Sequence, residues 1–417
     1  MDAVLFLCHR LPWPPDKGDK IRSYHVLRRL AEHYRVFLGT FVDDTGDWQY
    51  QAAVEAICAG TCIRPLKPWR ARWRALAALP RGEALTVGYY HDRTLRRWVD
   101  AVIAEHRPKL ALCYSSGVAP LVMRKPELRR VMDFVDADSD KWRQYAQARR
   151  GLARMVYARE ARRLAKFERA VAAEFDASLF VSEAEAAFFR AHQDVAAGGP
   201  VRGIANGVDA VYWDPQRQYP DFCEPGTRAI VFAGAMDYRA NVDAVEWFVR
   251  EVWPRVFERR PEARFYIVGS NPTPDVRALA QRGGVVVTGR VQDVRPYLAH
   301  AHAVAAPLRI ARGIQNKVLE ALAMEKVVLA TPQAWEGIED FEGRQGCISA
   351  SPETVAAEAL RWLDQPVAAR VPAARAMVRN RYDWARNLDA YESVLRGAPP
   401  SAAIAPAARV VSMEACP

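Results

Sequence analysis

Short, continuously apolar runs alternate with amphipathic stretches along this chain, and the alternation starts twice. In the first half, AVLFLC (3–8), RVFLGTFV (35–42), KLALCY (109–114), RVMDFVD (130–136) and ASLFVS (177–182) read as strands, with helical patterns at 18–33, 92–106, 141–174 and 183–192. Strands apolar on both faces and separated by helices require a parallel sheet covered on each side. The series begins again with AIVFAG (229–234), ARFYIVG (263–269), VVVTG (285–289), AVAAPL (303–308) and VVLAT (327–331). The turn-rich IANGVDAVYWDP (204–215) separates the two. At 417 residues the chain exceeds what one core usually holds, about 250–300 residues. The expected fold is therefore α/β, with two doubly wound Rossmann-like domains. The expected boundaries are 1–203 and 204–380, followed by a helix at 381–396 returning to the first domain. The alanine- and proline-rich 397–417 lacks periodicity and is expected to be a mobile tail.

Charge narrows the partners without choosing among them. A net charge of +10 and a pI near 9.3 suit anionic small molecules, nucleic acid or an anionic membrane surface. Seven cysteines are scattered, and the pair at 58 and 62 has no further ligands around it. Neither a disulfide framework nor a zinc pattern emerges, so a reducing cytoplasm is expected. MDAVLFLCHRLPWPP reads as a first strand rather than a signal peptide. No run approaches the ~20 apolar residues of a membrane span.

In parallel sheets, ligands bind beyond the carboxyl ends of the strands. Four junctions there carry polar residues. In PWPPDKGDKIRS (12–23), Gly18 lets backbone approach a ligand, with Lys17, Asp19 and Lys20 around it. In DFVDADSDKW (133–142), Asp136 ends a strand, while Asp138, Ser139 and Asp140 suit the start of the next helix. The acids invite a metal, but no histidine or octahedral donor set accompanies them, so no metal and no cofactor are expected. AGAMDYRANVDAV (233–245) offers Gly234, Asp237, Arg239 and Asn241 before another helix.

The fourth junction, PLRIARGIQNKVLEALAMEKVVLAT (307–331), is the most informative. Ile314, Val318 and Leu322 mark one buried helical face. Arg309, Arg312, Gly313, Gln315, Asn316 and Lys317 gather at the helix start, where free N–H groups and a cation favour an anion. Glu320 shares a face with Asn316 and would repel phosphate unless it holds something else, such as sugar hydroxyls. A nucleotide satisfies all of them.

NGVD (206–209), VFAGAMDYRANVDAVEWF, FYIVGS, VVVTGRVQDVRPYL and the fourth junction resemble the retaining glycosyltransferases of family 4. PWPPDKGDKIRSYHVLRRLAEHYRV and VMDFVDADSDKW look like the sugar transferases of bacterial exosortase/PEP-CTERM exopolysaccharide systems. The resemblance implies a GT-B fold whose two domains face across a cleft, and a nucleoside diphosphate sugar as donor. It places Arg290 and Val291 on the donor side and gives Glu320 the ribose. That family's helix motif is Glu, seven residues, Glu; here Arg312 stands at the first position and Glu320 at the second.

Two basic segments remain, 64–82 with Trp69, Trp73, Leu76 and Leu79, and 141–171, read as one long helix. Arginine mixed with aromatics suits a membrane interface, and no nucleic-acid motif is present. Peripheral contact with the inner membrane is expected, and no nucleic acid. The resemblance implies a glycan or polyprenyl-linked acceptor. The expected function is sugar transfer, metal-independent and with retention, with Asp136, Asp138 or Asp19 serving the acceptor. The competing readings are a sugar-nucleotide epimerase using Asp136 with His9, and a sugar-nucleotide-binding subunit without catalysis.

Overall fold

The computed structural model describes residues 1–15, 18–77, 79–80, 82–147, 149–192, 198–223, 226–311, 313–338 and 346–398, and of Gly18 and Asp19 the backbone alone. Two all-parallel sheets account for both series of apolar runs. The first holds β1 (Ala3–Cys8), β2 (Arg35–Val42), β3 (Gly60–Pro65), β4 (Leu110–Tyr114), β5 (Arg129–Val135), β6 (Ala177–Phe180) and β7 (Val201–Gly203), in the order β3-β2-β1-β4-β5-β6-β7. The second holds β8 (Arg228–Ala233), β9 (Ala263–Val268), β10 (Val285–Gly289), β11 (Ala303–Ala306), β12 (Val328–Ala330) and β13 (Gly346–Ile348), in the order β10-β9-β8-β11-β12-β13. β1, β4 and β8 are buried along nearly their whole length, which is what made them legible as apolar runs. The edge strands β3, β7 and β13 are only partly buried and carry no such run.

Strand order reverses between β1 and β4 in one sheet and between β8 and β11 in the other. Crevices open at such reversals, beyond the carboxyl ends of the strands. The loops after β1, β8 and β11, named above from sequence, all lie there.

Around the first sheet pack α1 (Gly18–His33), α2 (Gln51–Glu55), α3 (Pro68–Ala77), α4 (Leu85–Tyr89), α5 (Arg93–His106), α6 (Asp138–Gln147), α7 (Gly151–Glu174) and α8 (Glu183–His192). Around the second pack α9 (Arg239–Trp247), α10 (Trp253–Arg259), α11 (Pro274–Ala278), α12 (Arg295–Ala299), α13 (Asn316–Ala323), α14 (Pro352–Leu363) and α15 (Pro372–Arg381). The single long helix expected over 141–174 is instead a hairpin. Gly151 takes the left-handed conformation at φ 64°, and α6 and α7 fold back on each other. The apolar periodicity continues across the turn, which hid the break.

The last helix, α16 (Trp384–Arg396), crosses back to the first domain. Its Trp384, Leu388, Tyr391 and Val394 join Val4, Phe6, Val26 and Leu30 in one core. Arg129 donates to the carbonyls of Val394 and Leu395, and the Tyr391 hydroxyl donates to Asp133 at 2.9 Å. The tail lies outside the described residues from 399 onward. Among the described residues, no helix is long and apolar enough to cross a membrane.

Candidate functional site

The second domain's crevice is built around Lys317. Its helix, α13, starts where the loop after β11 turns in, and Gly313 makes that turn at φ 65°. Gln315 occupies the N-cap position without a side-chain cap bond; its amide donates to the Gly313 carbonyl at 3.1 Å. Among the described residues no side chain caps the first N–H groups of α13, the arrangement that favours an anion.

Lys317 Nζ donates to Asn241 Oδ1 at 2.6 Å and sits 4.3 Å from the centre of the Phe232 ring. Asn241 is fixed in turn by its amide, which donates to the Ala235 carbonyl at 2.8 Å. Gly234 lies directly beneath: a β-carbon there would fall 2.7 Å from Asn241 Nδ2 and 3.0 Å from Lys317 Nζ. Only glycine leaves this space. Burial pushes Lys317 down to about 7, against the opposing pull of Glu320. Burial also pushes Glu320 up to about 7, against Lys317. The Lys317 ammonium therefore has a neutral amide and a ring as its close partners, and an arriving anion would restore its charge.

The other residues expected on the donor side divide. Arg309 is tied to Asp243 in α9, with Nε 3.0 Å from the carboxylate, so its charge is already matched. Asp237 accepts from Asn271 at 3.1 Å, and Arg239 and Arg290 are exposed at the rim. Val291 is partly buried just beyond Gly289. Arg312 lies outside the described residues, as do the side chains of Gly18 and Asp19. Lys20, expected at the Gly18 loop, is buried in an ion pair with Asp47.

Three further residues, not named individually as site candidates from sequence, meet at the crevice. Asn206, buried in the linker, donates to Asn316 Oδ1 at 3.2 Å and so pins the first residue of α13. Arg22 holds Asn206 from the other side, at 3.2 Å, while donating to Asp133 at 2.7 Å. Tyr212 lies over the Arg295 guanidinium at 3.8 Å and feels the Glu320 carboxylate. NGVD marks Asn206, but sequence alone reads it as a turn; Tyr212 and Arg295 meet only through folding.

On the first-domain side, the acid-rich junction separates into distinct roles. Asp133 is fully buried and accepts from Arg22, Tyr391 and the Val135 N–H. Val135 then stands at φ 69°, a left-handed conformation rare for a β-branched residue, beside a bulge in β5. That twist turns Asp136 toward the second domain: its Oδ1 is 3.6 Å from where a β-carbon on Gly313 would lie. Lys141 Nζ donates to Asp136 at 2.8 Å and to Asp138 at 3.1 Å. Burial lowers Lys141, but the two carboxylates outweigh it and hold the ammonium well above its ordinary value. Asp140 is bound by Arg143 and Gln144.

Among the described residues, Asp138 does not cap the start of α6, the role expected of it from sequence. Glu168 of α7 accepts from the Ser139 N–H and hydroxyl, and Glu185 of α8 accepts from the Ala137 N–H at 3.3 Å. Burial pushes Glu168 up to about 8 despite those bonds. Asp138 is thus released from capping and shares Lys141 with Asp136. Among the described residues no cluster of His, Cys, Asp and Glu is placed to hold a metal ion.

Residues 227–365 match the family described as Glycosyl transferases group 1. Curated protein sequences yield no significant match. Solved structures resemble the chain over nearly its full length. Sucrose-phosphate synthase from Thermosynechococcus elongatus aligns with TM-score 0.68 and 16% identity, covering 95% of this chain and 99% of its own. WaaG, a glycosyltransferase involved in lipopolysaccharide biosynthesis, aligns with TM-score 0.65 and 17% identity over 94% and 100%. Anabaena Alr3699/HepE, solved with UDP and glucose, aligns with TM-score 0.63 and 13% identity over 95% and 100%. The two facing parallel-sheet domains are a GT-B fold, and residues 227–365 within it are a glycosyl transferases group 1 domain.

Proposed function

We propose that this chain transfers a sugar from a nucleoside diphosphate sugar to a hydroxyl of a glycan or polyprenyl-linked acceptor, in the crevice between the sheets. The observation that carries this reading is Lys317, whose hydrogen-bond partner among the described residues is a neutral amide, beside an aromatic ring at the start of α13 above Gly234. A diphosphate bound there gains charge-assisted bonds and the helix dipole together. Glu320, one turn along, accepts from ribose hydroxyls. The Anabaena relative was solved with UDP and with UDP-glucose, which supports a donor of that class.

In the reaction, the acceptor oxygen bonds to the anomeric carbon as the bond to the diphosphate oxygen breaks. Lys317 and the α13 N–H groups stabilise the charge gathering on the leaving diphosphate, with no metal required. Asp136 orients the acceptor hydroxyl, whose proton passes to the leaving phosphate or to this carboxylate. The reading includes retention of configuration and family 4 membership, and a place in bacterial exopolysaccharide synthesis of the PEP-CTERM type. It also includes peripheral attachment to the cytoplasmic face of the inner membrane through α3 and the α6–α7 hairpin. Trp69 and Trp73 are exposed on α3 among arginines, which supports that attachment.

A panel of sugar nucleotides tests the donor class by thermal stabilisation; a ligand at ~100 times its Kd adds about 2.7 kcal/mol. Release of free nucleoside diphosphate on adding acceptor then tests transfer. Stabilisation by no member of the panel would overturn the reading. Activity lost in EDTA and restored by magnesium would overturn its metal independence.

A further inference from the structure

Apart from the donor crevice, α6, α7 and α8 enclose a groove of about 410 Å³, within the ~300–1,000 Å³ range of ligand sites. Its floor is apolar, from Ala158, Ala161 and Ala165 of α7 and Phe188 of α8, and its rim is cationic. Arg154 and Arg162 lie on the same face of α7 as the alanines, two turns apart. The rim's Arg143 is matched by Asp140, but neither Arg154 nor Arg162 has a carboxylate partner among the described residues. An apolar trough under two unmatched guanidinium groups complements a molecule with a hydrocarbon chain and a phosphate.

Two further observations decide which amphiphile. The groove uses Ser139, Asp140, Arg143 and Gln147 of α6, whereas Lys141 turns the opposite side of that helix toward Asp136 and Asp138. Helix α6 thus stands between the groove and the acids, so a lipid seated there does not present its head group to Asp136. The groove reaches Gln147 and Arg154, close in the chain to the hairpin tip, where Leu152 and Met155 are 79% and 67% exposed. Arg159 ties this part of α7 to the carbonyls of Leu79 and Glu83, beside the exposed tryptophans of α3.

We propose that the groove between α6, α7 and α8 binds one acidic phospholipid of the membrane surface, its phosphate on Arg154 and Arg162 and one acyl chain over the alanines. This extends the attachment proposed above and does not depend on sugar transfer. The test measures binding of a short-chain acidic phospholipid, below its micelle concentration, to the full chain by calorimetry. Glycerol phosphate and a zwitterionic phospholipid of the same chain length are the comparisons.

The acidic lipid is expected to bind, glycerol phosphate not, and the zwitterionic lipid at least ~10-fold more weakly, because its head-group ammonium is repelled by the two guanidinium groups that hold the phosphate. Arg154→Gln with Arg162→Gln should weaken the acidic lipid by a similar factor, and Ala158→Phe should fill the groove. Should Ala158→Phe not fold, the arginine pair still decides. Unchanged affinity in the arginine pair, or equal affinity for the zwitterionic lipid, overturns the proposal. If acidic vesicles bind but the short-chain lipid does not, the groove proposal fails while surface attachment through Trp69 and Trp73 stands. A polyprenyl phosphate that binds the groove and competes with acceptor in transfer would make it an acceptor site, and would also overturn the proposal.

Discussion

Lys317 Nζ donates to Asn241 Oδ1 across 2.6 Å, joining the helix after β11 to the helix after β8 over a glycine at residue 234. A cation buried with an amide as its polar partner gains most when an anion arrives. Lys317→Ala is therefore expected to weaken nucleoside diphosphate and donor alike by about 1.5–3 kcal/mol, the range for hydrogen bonds to charged groups. Calorimetric titration with the free diphosphate checks it, and unchanged affinity removes Lys317 from the site.

The same pair sets a pH dependence. Folded, Glu320 titrates at about 7 and Lys317 at about 7; unfolded, the ordinary values are about 4.3 and 10.4. As pH rises from about 4.3 to 7, the unfolded chain has already released the Glu320 proton that the fold retains, so this group's contribution to stability is progressively lost. From about 7 to 10.4 the unfolded chain holds a Lys317 proton that the fold has released, so stability is regained. Glu320→Gln should remove the first slope, gaining on wild type between about pH 5 and 7 in urea midpoints. Parallel curves would mean that Glu320 ionises normally.

How far the sequence could be read follows from the kind of contact involved. β1, β4, β8 and the α13 junction are local patterns, visible as apolar runs ending in polar loops. The break at Gly151 was hidden because periodicity ran on through it, and three edge strands were hidden because half-burial needs no apolar run. Arg309 and Lys317 look alike in sequence, both cations near one glycine. Only folding brings Asp243 to Arg309 and a neutral amide to Lys317. The same holds at 133–140, where Glu168, about 30 residues on, takes the capping role that local rules assign to aspartate.

That reassignment changes what substitutions at the acid junction should do. Asp136→Asn is expected to keep the fold and donor binding but lose at least ~100-fold in transfer rate, the low end for proton management by a side chain. Asp138→Asn should leave stability nearly unchanged, since among the described residues it caps no helix and it shares Lys141 with Asp136. Glu168→Ala should destabilise by about 1–3 kcal/mol, because the buried Ser139 donors lose their acceptor. Chemical denaturation and single-turnover transfer separate the three. A large stability loss in Asp138→Asn with none in Glu168→Ala would return the cap to the aspartate.

Gly313 and Gly151 form a matched pair for the last test. Their φ angles are 65° and 64°, so alanine at either position meets the same left-handed penalty, about 1–2 kcal/mol. Their surroundings differ. A β-carbon at Gly151 meets nothing within 4 Å, while one at Gly313 lies 3.3 Å from Val181 and 3.6 Å from the Asp136 carboxylate. Backbone strain should lower stability in both Gly151→Ala and Gly313→Ala. Only Gly313→Ala should also lower transfer, because the new methyl occupies the gap between the acceptor-side acid and the start of the donor helix. The expected pattern is a lowered denaturation midpoint in both variants, with turnover retained in Gly151→Ala and reduced at least ~10-fold in Gly313→Ala, a barrier change of about 1.4 kcal/mol. Equal turnover in the two variants would mean that the gap beside Asp136 is not where the sugar passes.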